Sequence, residues 1–158
     1  MKKIAILCLA GLLSLFFGLF ILPLDVETTR WITLSRPEEA VWTSLNDPNF
    51  IWRWSEGNTT ETIRWIDNRS SFEVTEVKAE EKEIFFVVKD ESQQEIGDGK
   101  IFLENIPLGL WLRCEYSYPA EYSPFARLGD WLRRGDIAIQ IDKGLLRMKE
   151  QLEQNEAQ

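Results

Sequence analysis

The spacing of hydrophobic and polar positions changes four times along this chain, and each change marks a boundary. From Ile4 to Leu24 the residues are uncharged and almost wholly apolar (IAILCLAGLLSLFFGLFILPL). At 1.5 Å per residue, such a run is long enough to cross a hydrocarbon core of roughly 30 Å as one helix. Beyond Pro23 the segment from Val26 to Leu34 is rich in β-branched residues and predicts a first strand. Ser35-Arg36-Pro37-Glu38 then has the form of a capping box, with Ser35 as N-cap and Pro37 in the first turn. It opens a short helix to about Asn46, with Val41 and Leu45 on one side. Asp47-Pro48 breaks it before a second helical piece, Asn49 to Trp54.

Period-two segments follow near 59–67, 70–78, 82–90, 97–105 and 109–119, separated by turn-forming residues. Being consecutive, they are expected to pair as an antiparallel meander. The last alternates cleanly: Leu110, Leu112, Cys114, Tyr116 and Tyr118 share one face, and Trp111, Arg113, Glu115 and Ser117 the other. After Ser123-Pro124 the period becomes helical, with Ala138, Ile141, Leu145, Met148 and Leu152 at steps of three and four. A long amphipathic C-terminal helix is predicted, its first third bent or separate because Gly129, Gly135 and Gly144 fall within it. The expected organisation is a cytoplasmic N-terminus and transmembrane helix over 1–25, one α+β domain over 26–154, and a disordered polar tail over 155–158.

Charge sets the orientation and narrows the function. Lys2 and Lys3 precede the apolar run, and Asp25 and Glu27 follow it. The positive-inside tendency therefore puts the N-terminus in the cytoplasm and the domain on the periplasmic or extracytoplasmic side of a cell membrane. The run exceeds the apolar core of a cleaved signal and no small-x-small site follows it, which favours an uncleaved anchor. The net charge is −8, and Arg133-Arg134 is flanked by Asp130 and Asp136, so no concentrated basic face for nucleic acid exists. The chain has no histidine, which removes the commonest general base and metal ligand along with the Ser/His/Asp and Cys/His triads. Cys114 stands alone in the domain and is expected to be a buried, inert thiol. The carboxylate pairs Glu38-Glu39, Glu80-Glu81 and Asp90-Glu91 sit in turns or at a helix start, where acidic residues are ordinary.

Three stretches resemble the START/SRPBCC superfamily, in particular its membrane-anchored, polyketide cyclase/dehydrase-like branch. They are ITLSRPEEAVWTSLNDPNFIWRWSEG, FEVTEVKAEEKEIFFVV and SPFARLGDWLRRGDIAIQIDKGLLRMKEQLE, and the resemblance spans roughly Val26 to Leu152. All three are architectural rather than catalytic signatures. The resemblance implies a helix-grip fold: a curved antiparallel sheet of six or seven strands wrapped around the C-terminal helix. Six strands are countable, and a seventh is expected to be missing or hidden near Ile51 to Ser55.

Such a fold implies a cavity between sheet and helix that accepts an apolar molecule or lipid. Its candidate lining is Ile63, Trp65, Phe72, Val74, Phe85, Val87, Leu112, Cys114, Tyr116, Ile141 and Leu145, with Tyr116 and Tyr118 supplying hydroxyls. Trp52 and Trp54 are candidates for a cavity mouth or membrane-proximal contact, since tryptophan suits half-wet sites. The same side chains equally suit an ordinary packed core. The expectation is a membrane-tethered, non-catalytic binding domain without cofactor or metal, whose partners are a lipid or apolar small molecule and the membrane. The alternatives are a cyclase- or hydrolase-like enzyme and an envelope interaction protein with a vestigial cavity.

Overall fold

The computed structural model describes residues 10–46 apart from 12, 15, 16 and 19, then residues 63–64 and 71–154. The second helical piece, Trp52, Trp54, Trp65, the polar tail and most of the predicted 59–67 strand lie outside the described residues, as does the first part of the apolar run. Described positions between 10 and 18 are helical. That helix closes with bonds from the Phe20 and Ile21 amides to the Phe17 and Gly18 carbonyls, both 3.1 Å, three residues back. Among the described residues no helix is long and apolar enough to cross a membrane.

The domain consists of β1 (Asp25–Leu34), α1 (Glu38–Leu45), β2 (Ile63–Arg64), β3 (Ser71–Lys78), β4 (Glu83–Lys89), β5 (Glu95–Ile106), β6 (Gly109–Pro119) and α2 (Pro124–Gln154). One antiparallel sheet has the order β1-β6-β5-β4-β3-β2. The meander is therefore as expected, and β1 closes its other edge against β6. Five strands have seven residues or more, and Ile63–Arg64 is a two-residue sixth at the margin. At the β5–β6 turn Gly109 takes φ +146°, a conformation that side chains with a Cβ rarely adopt.

Inward positions alternate along each strand: Val26, Thr28 and Leu34 on β1; Ile84, Phe86 and Val88 on β4; Ile101 and Leu103 on β5; Leu110, Leu112, Cys114 and Tyr116 on β6. Helix α2 covers this face with Ile137, Ala138, Ile141, Leu145, Met148 and Leu152. Each fully buried aliphatic side chain contributes about 1.5–3 kcal/mol relative to exposure, so this stripe holds the helix on the sheet. The glycines do not interrupt it: α2 is continuous over 31 residues, and a Cβ at Gly129 or Gly135 would meet open space.

Helix α2 runs alongside β1 in the same direction. Arg30 pairs with Asp142 at 3.4 Å, and near the far end Lys149 donates to the Thr33 carbonyl at 3.0 Å. Helix α1 caps that far end, burying Val41, Trp42 and Leu45. The predicted capping box does not form: Pro37 is the N-cap residue, and no side-chain cap bond is made. The Glu38 carboxylate is engaged elsewhere, accepting from Asn105 at 2.7 Å and pairing with Lys82 at 3.2 Å. A tertiary contact has replaced the local one.

Candidate ligand site on the concave face

Strand β4 carries apolar residues on both parities (EIFFVVK), so its pattern alone leaves the inward face undecided. The structure turns Ile84, Phe86 and Val88 inward. Phe85 and Val87, expected to line the cavity, sit half-buried on the outer face instead. There the Lys78 ammonium lies 4.7 Å from the centroid of the Phe85 ring. Leu112, Cys114, Tyr116, Ile141 and Leu145 are brought together in the single core cluster, and Val74 packs against it partly buried. Ile63 and Phe72 are register partners across β2 and β3; their side chains lie outside the described residues.

Between β4 and β6 the inward face of β5 is bare over its first half, because the residues there are Gly97 and Gly99. Phe86 and Tyr116 flank Gly99 in register from either side, and their rings lie nearly parallel, 6.4 Å apart at 5°. Tyr116 in turn stacks on Tyr118 at 5.9 Å and 26°. A Cβ at Gly99 would stand 2.6 Å from Phe86 Cζ; one at Gly97 would stand 2.7 Å from both Tyr116 Cζ and the Ser117 carbonyl. The glycines thus let aromatic rings fold across the strand. Neither they nor Phe86 are visible as site residues in the sequence, since the signal is the register between strands.

Opposite Tyr116 on β1 stands Thr28. Its Oγ1 is buried and has no hydrogen-bond partner, an arrangement that costs about 1–3 kcal/mol. Tyr118, expected to offer a free hydroxyl, donates it to the Asp130 carbonyl at 2.6 Å and so ties β6 to α2. Burial pushes the Cys114 thiol and the Tyr116 hydroxyl far above their ordinary values, and Tyr118 in the same direction. All three are neutral near pH 7, so the lining presents hydrogen-bond donors and acceptors. Among the described residues no three His, Cys, Asp or Glu side chains gather as a metal site.

A depression of about 480 Å³ is bordered mainly by the outward-facing Glu27, Thr29, Phe85, Asp98, Lys100 and Arg113, and also touches Thr28, Gly99 and Tyr116. Its cations are already engaged: Lys100 with Glu83 at 3.1 Å and Glu115 at 3.8 Å, Arg113 with Glu104 at 3.2 Å and Glu115 at 3.3 Å. It reads as a solvated ion-pair surface, each exposed pair contributing about 0.2–1 kcal/mol.

No protein-family model matches the sequence, and no curated protein matches it. Solved structures do. The chain is similar to the Aha1 dimer from Colwellia psychrerythraea, with 17% identity, a TM-score of 0.55, and coverage of 80% of this chain and 96% of that one. It is similar to a protein from Mesorhizobium loti at 17% identity and TM-score 0.54, covering 82% and 98% respectively. A conserved protein from Geobacillus kaustophilus matches at 17% identity and TM-score 0.54, covering 82% and 96%. At these identities the likeness concerns the fold: an α+β helix-grip arrangement, in agreement with the architecture implied by the START/SRPBCC resemblance.

Proposed function

We propose that this chain is a membrane-tethered helix-grip domain that binds an apolar small molecule or lipid non-catalytically on the concave face of its sheet, at the end where β1 begins. The observation that carries this reading is Thr28. Its hydroxyl is buried without a partner inside an otherwise apolar and aromatic wall, and small-molecule sites are mostly apolar with a few polar groups that fix orientation. A ligand carbonyl or hydroxyl satisfies Thr28 Oγ1, while a hydrocarbon part takes the room now crossed by the Phe86 and Tyr116 rings. The apolar N-terminal run supports the tether, which holds the site beside the bilayer and raises the effective concentration of lipid-soluble ligands. Lys2 and Lys3 before that run, and Asp25 and Glu27 after it, support a domain facing the extracytoplasmic side.

The test is native mass spectrometry of the full chain, extracted from membranes in mild detergent. A co-purifying species of lipid-like mass, diminished in Thr28→Val, is expected. Repeated recovery of empty protein refutes the reading. That result would favour an envelope interaction protein with a closed interior, for which the fully buried packing of Phe86, Leu112, Ile141 and Leu145 already speaks.

A further inference from the structure

The end of the apolar run is fastened to the start of α2. Leu24 is followed at once by β1, whose first residue, Asp25, pairs with Pro119. The Ala120 amide donates to the Leu24 carbonyl at 2.6 Å. Arg127, only 6% exposed, spreads its guanidinium over three carbonyls: Leu22 at 3.3 Å, Glu121 at 3.3 Å and Tyr122 at 3.2 Å. Trp131 and Arg134 flank the same strand entry, bordering a cavity of about 340 Å³ with Pro23, Asp25, Val26 and Glu27. No linker separates the run from the domain, and a chain advances at most about 3.6 Å per residue. Whatever depth Leu24 has, the first turns of α2 share it.

Those turns carry large side chains toward solvent: Tyr122 is 89% exposed, Phe125 66% and Leu132 64%. Arg133 and Arg134 beside them are exposed too. From these observations, and resting on the reading that the apolar run lies in a bilayer, we propose that the β6–α2 connection and the first turns of α2 are a second membrane contact. In it Tyr122, Phe125 and Leu132 enter the headgroup region, and Arg133 and Arg134 reach lipid phosphates. Aromatic rings and arginines are suited to that layer, the former by their amphipathic rings and the latter by long stems under a charged head. Asp25, Glu27 and Glu121 are exposed nearby, and Asp130 is engaged with the Glu121 amide at 2.9 Å. The patch is therefore not strongly cationic, and apolar insertion drives the contact. Its consequence is a fixed orientation, with the Thr28–Tyr116 end of the concave face turned to the lipid.

The occupant is distinguishable from a second copy of this chain. Phe125, Leu132, Ile139 and Leu146 recur every seven residues, all more than half exposed, and Leu146 lies about 31 Å along the helix axis from Phe125. A partner helix would cover all four, whereas a membrane at the Leu24 end covers only the first two. The experiment uses the full chain with Cys8→Ser, Cys114 being fully buried and unlabelled. Spin labels are attached singly through Phe17→Cys, Phe125→Cys, Leu132→Cys, Leu146→Cys and Leu108→Cys, the last at the far β5–β6 turn. The protein is then reconstituted in phosphatidylcholine–phosphatidylglycerol vesicles.

The expected result is an oxygen-to-nickel-chelate accessibility ratio highest at 17, several-fold above the 108 value at 125 and 132, and equal to the 108 value at 146. Tyr122→Cys gives a second reading at the same level if Phe125→Cys does not fold. Labels at 125 and 132 that match 108, with 17 still deep, overturn this inference and leave the tether standing. Equal protection of 125, 132 and 146 from both reagents overturns it in favour of a second copy. A water-accessible label at 17 overturns the tether and this contact together.

Discussion

Replacing Gly99 by alanine adds one methyl group at the point where two rings cross β5. The new Cβ meets the Glu115 carbonyl of the neighbouring strand and stands 2.6 Å from Phe86 Cζ. The carbonyl belongs to a ladder and cannot rotate away, and Phe86 is 1% exposed. Forcing a methyl into a close-packed interior costs about 1–3 kcal/mol. Against this, alanine lowers the entropy of the unfolded chain and returns about 0.4–1 kcal/mol where its conformation is tolerated. The expected net loss is about 1–2 kcal/mol, which for a domain of this size corresponds to a Tm lower by about 4–7 °C.

Thermal unfolding of the full chain in detergent, followed by near-UV circular dichroism, measures this loss. Phe86→Leu in the same background removes the ring-side contact, so the double variant should lose less than the two single variants together. A Gly99→Ala protein as stable as the parent, or more so, would refute the argument that the rings lie against a bare strand.

Three further outcomes follow from the same geometry. Arg127→Lys loses the planar fork that serves three carbonyls, and should lower stability by about 2 kcal/mol, since hydrogen bonds from charged donors contribute about 1.5–3 kcal/mol each when well formed and these are long; limited proteolysis between Leu22 and Tyr122, faster in the variant, checks it. Cys114, in the Cys8→Ser chain, should resist thiol reagents at pH 8 until denaturant is added, because burial raises its pKa. The sign in pH follows: the unfolded thiol ionises near its ordinary value while the folded one stays protonated, so stability falls as pH rises above that value, and Cys114→Ala should flatten the alkaline slope. For Glu38, held below its ordinary pKa first by the Asn105 hydrogen bond and then by Lys82, the stabilisation is present above the carboxylate range and lost as pH falls through the folded pKa. Glu38→Gln should therefore shallow the acid limb of a stability–pH curve, by a small amount because the site is at the surface.

The elements themselves were legible because each is written in a local period. Alternation in β6 and the three-four stripe of α2 survive into the structure almost residue for residue, since one face of each meets the core and the other meets water. The candidate site was legible only in part. Leu112, Cys114, Tyr116, Ile141 and Leu145 were placed on the inward face because they lie on those two clean patterns, and they share the core cluster. Phe85 and Val87 were misassigned because β4 is apolar on both parities, where burial on one face and cation–π cover on the other satisfy the same residue types.

What the sequence by itself determined is the succession of a long apolar run, a strand, a short helix, a meander and an amphipathic closing helix, each a consequence of spacing within a few residues. Only the tertiary structure decided which face of β4 turns inward, that Gly97 and Gly99 make room for rings from two neighbouring strands, and that Arg127 holds Leu22 across 105 residues. The physical reason is that these choices depend on register and packing between segments far apart in the chain, and no local periodicity encodes what a side chain will find opposite it.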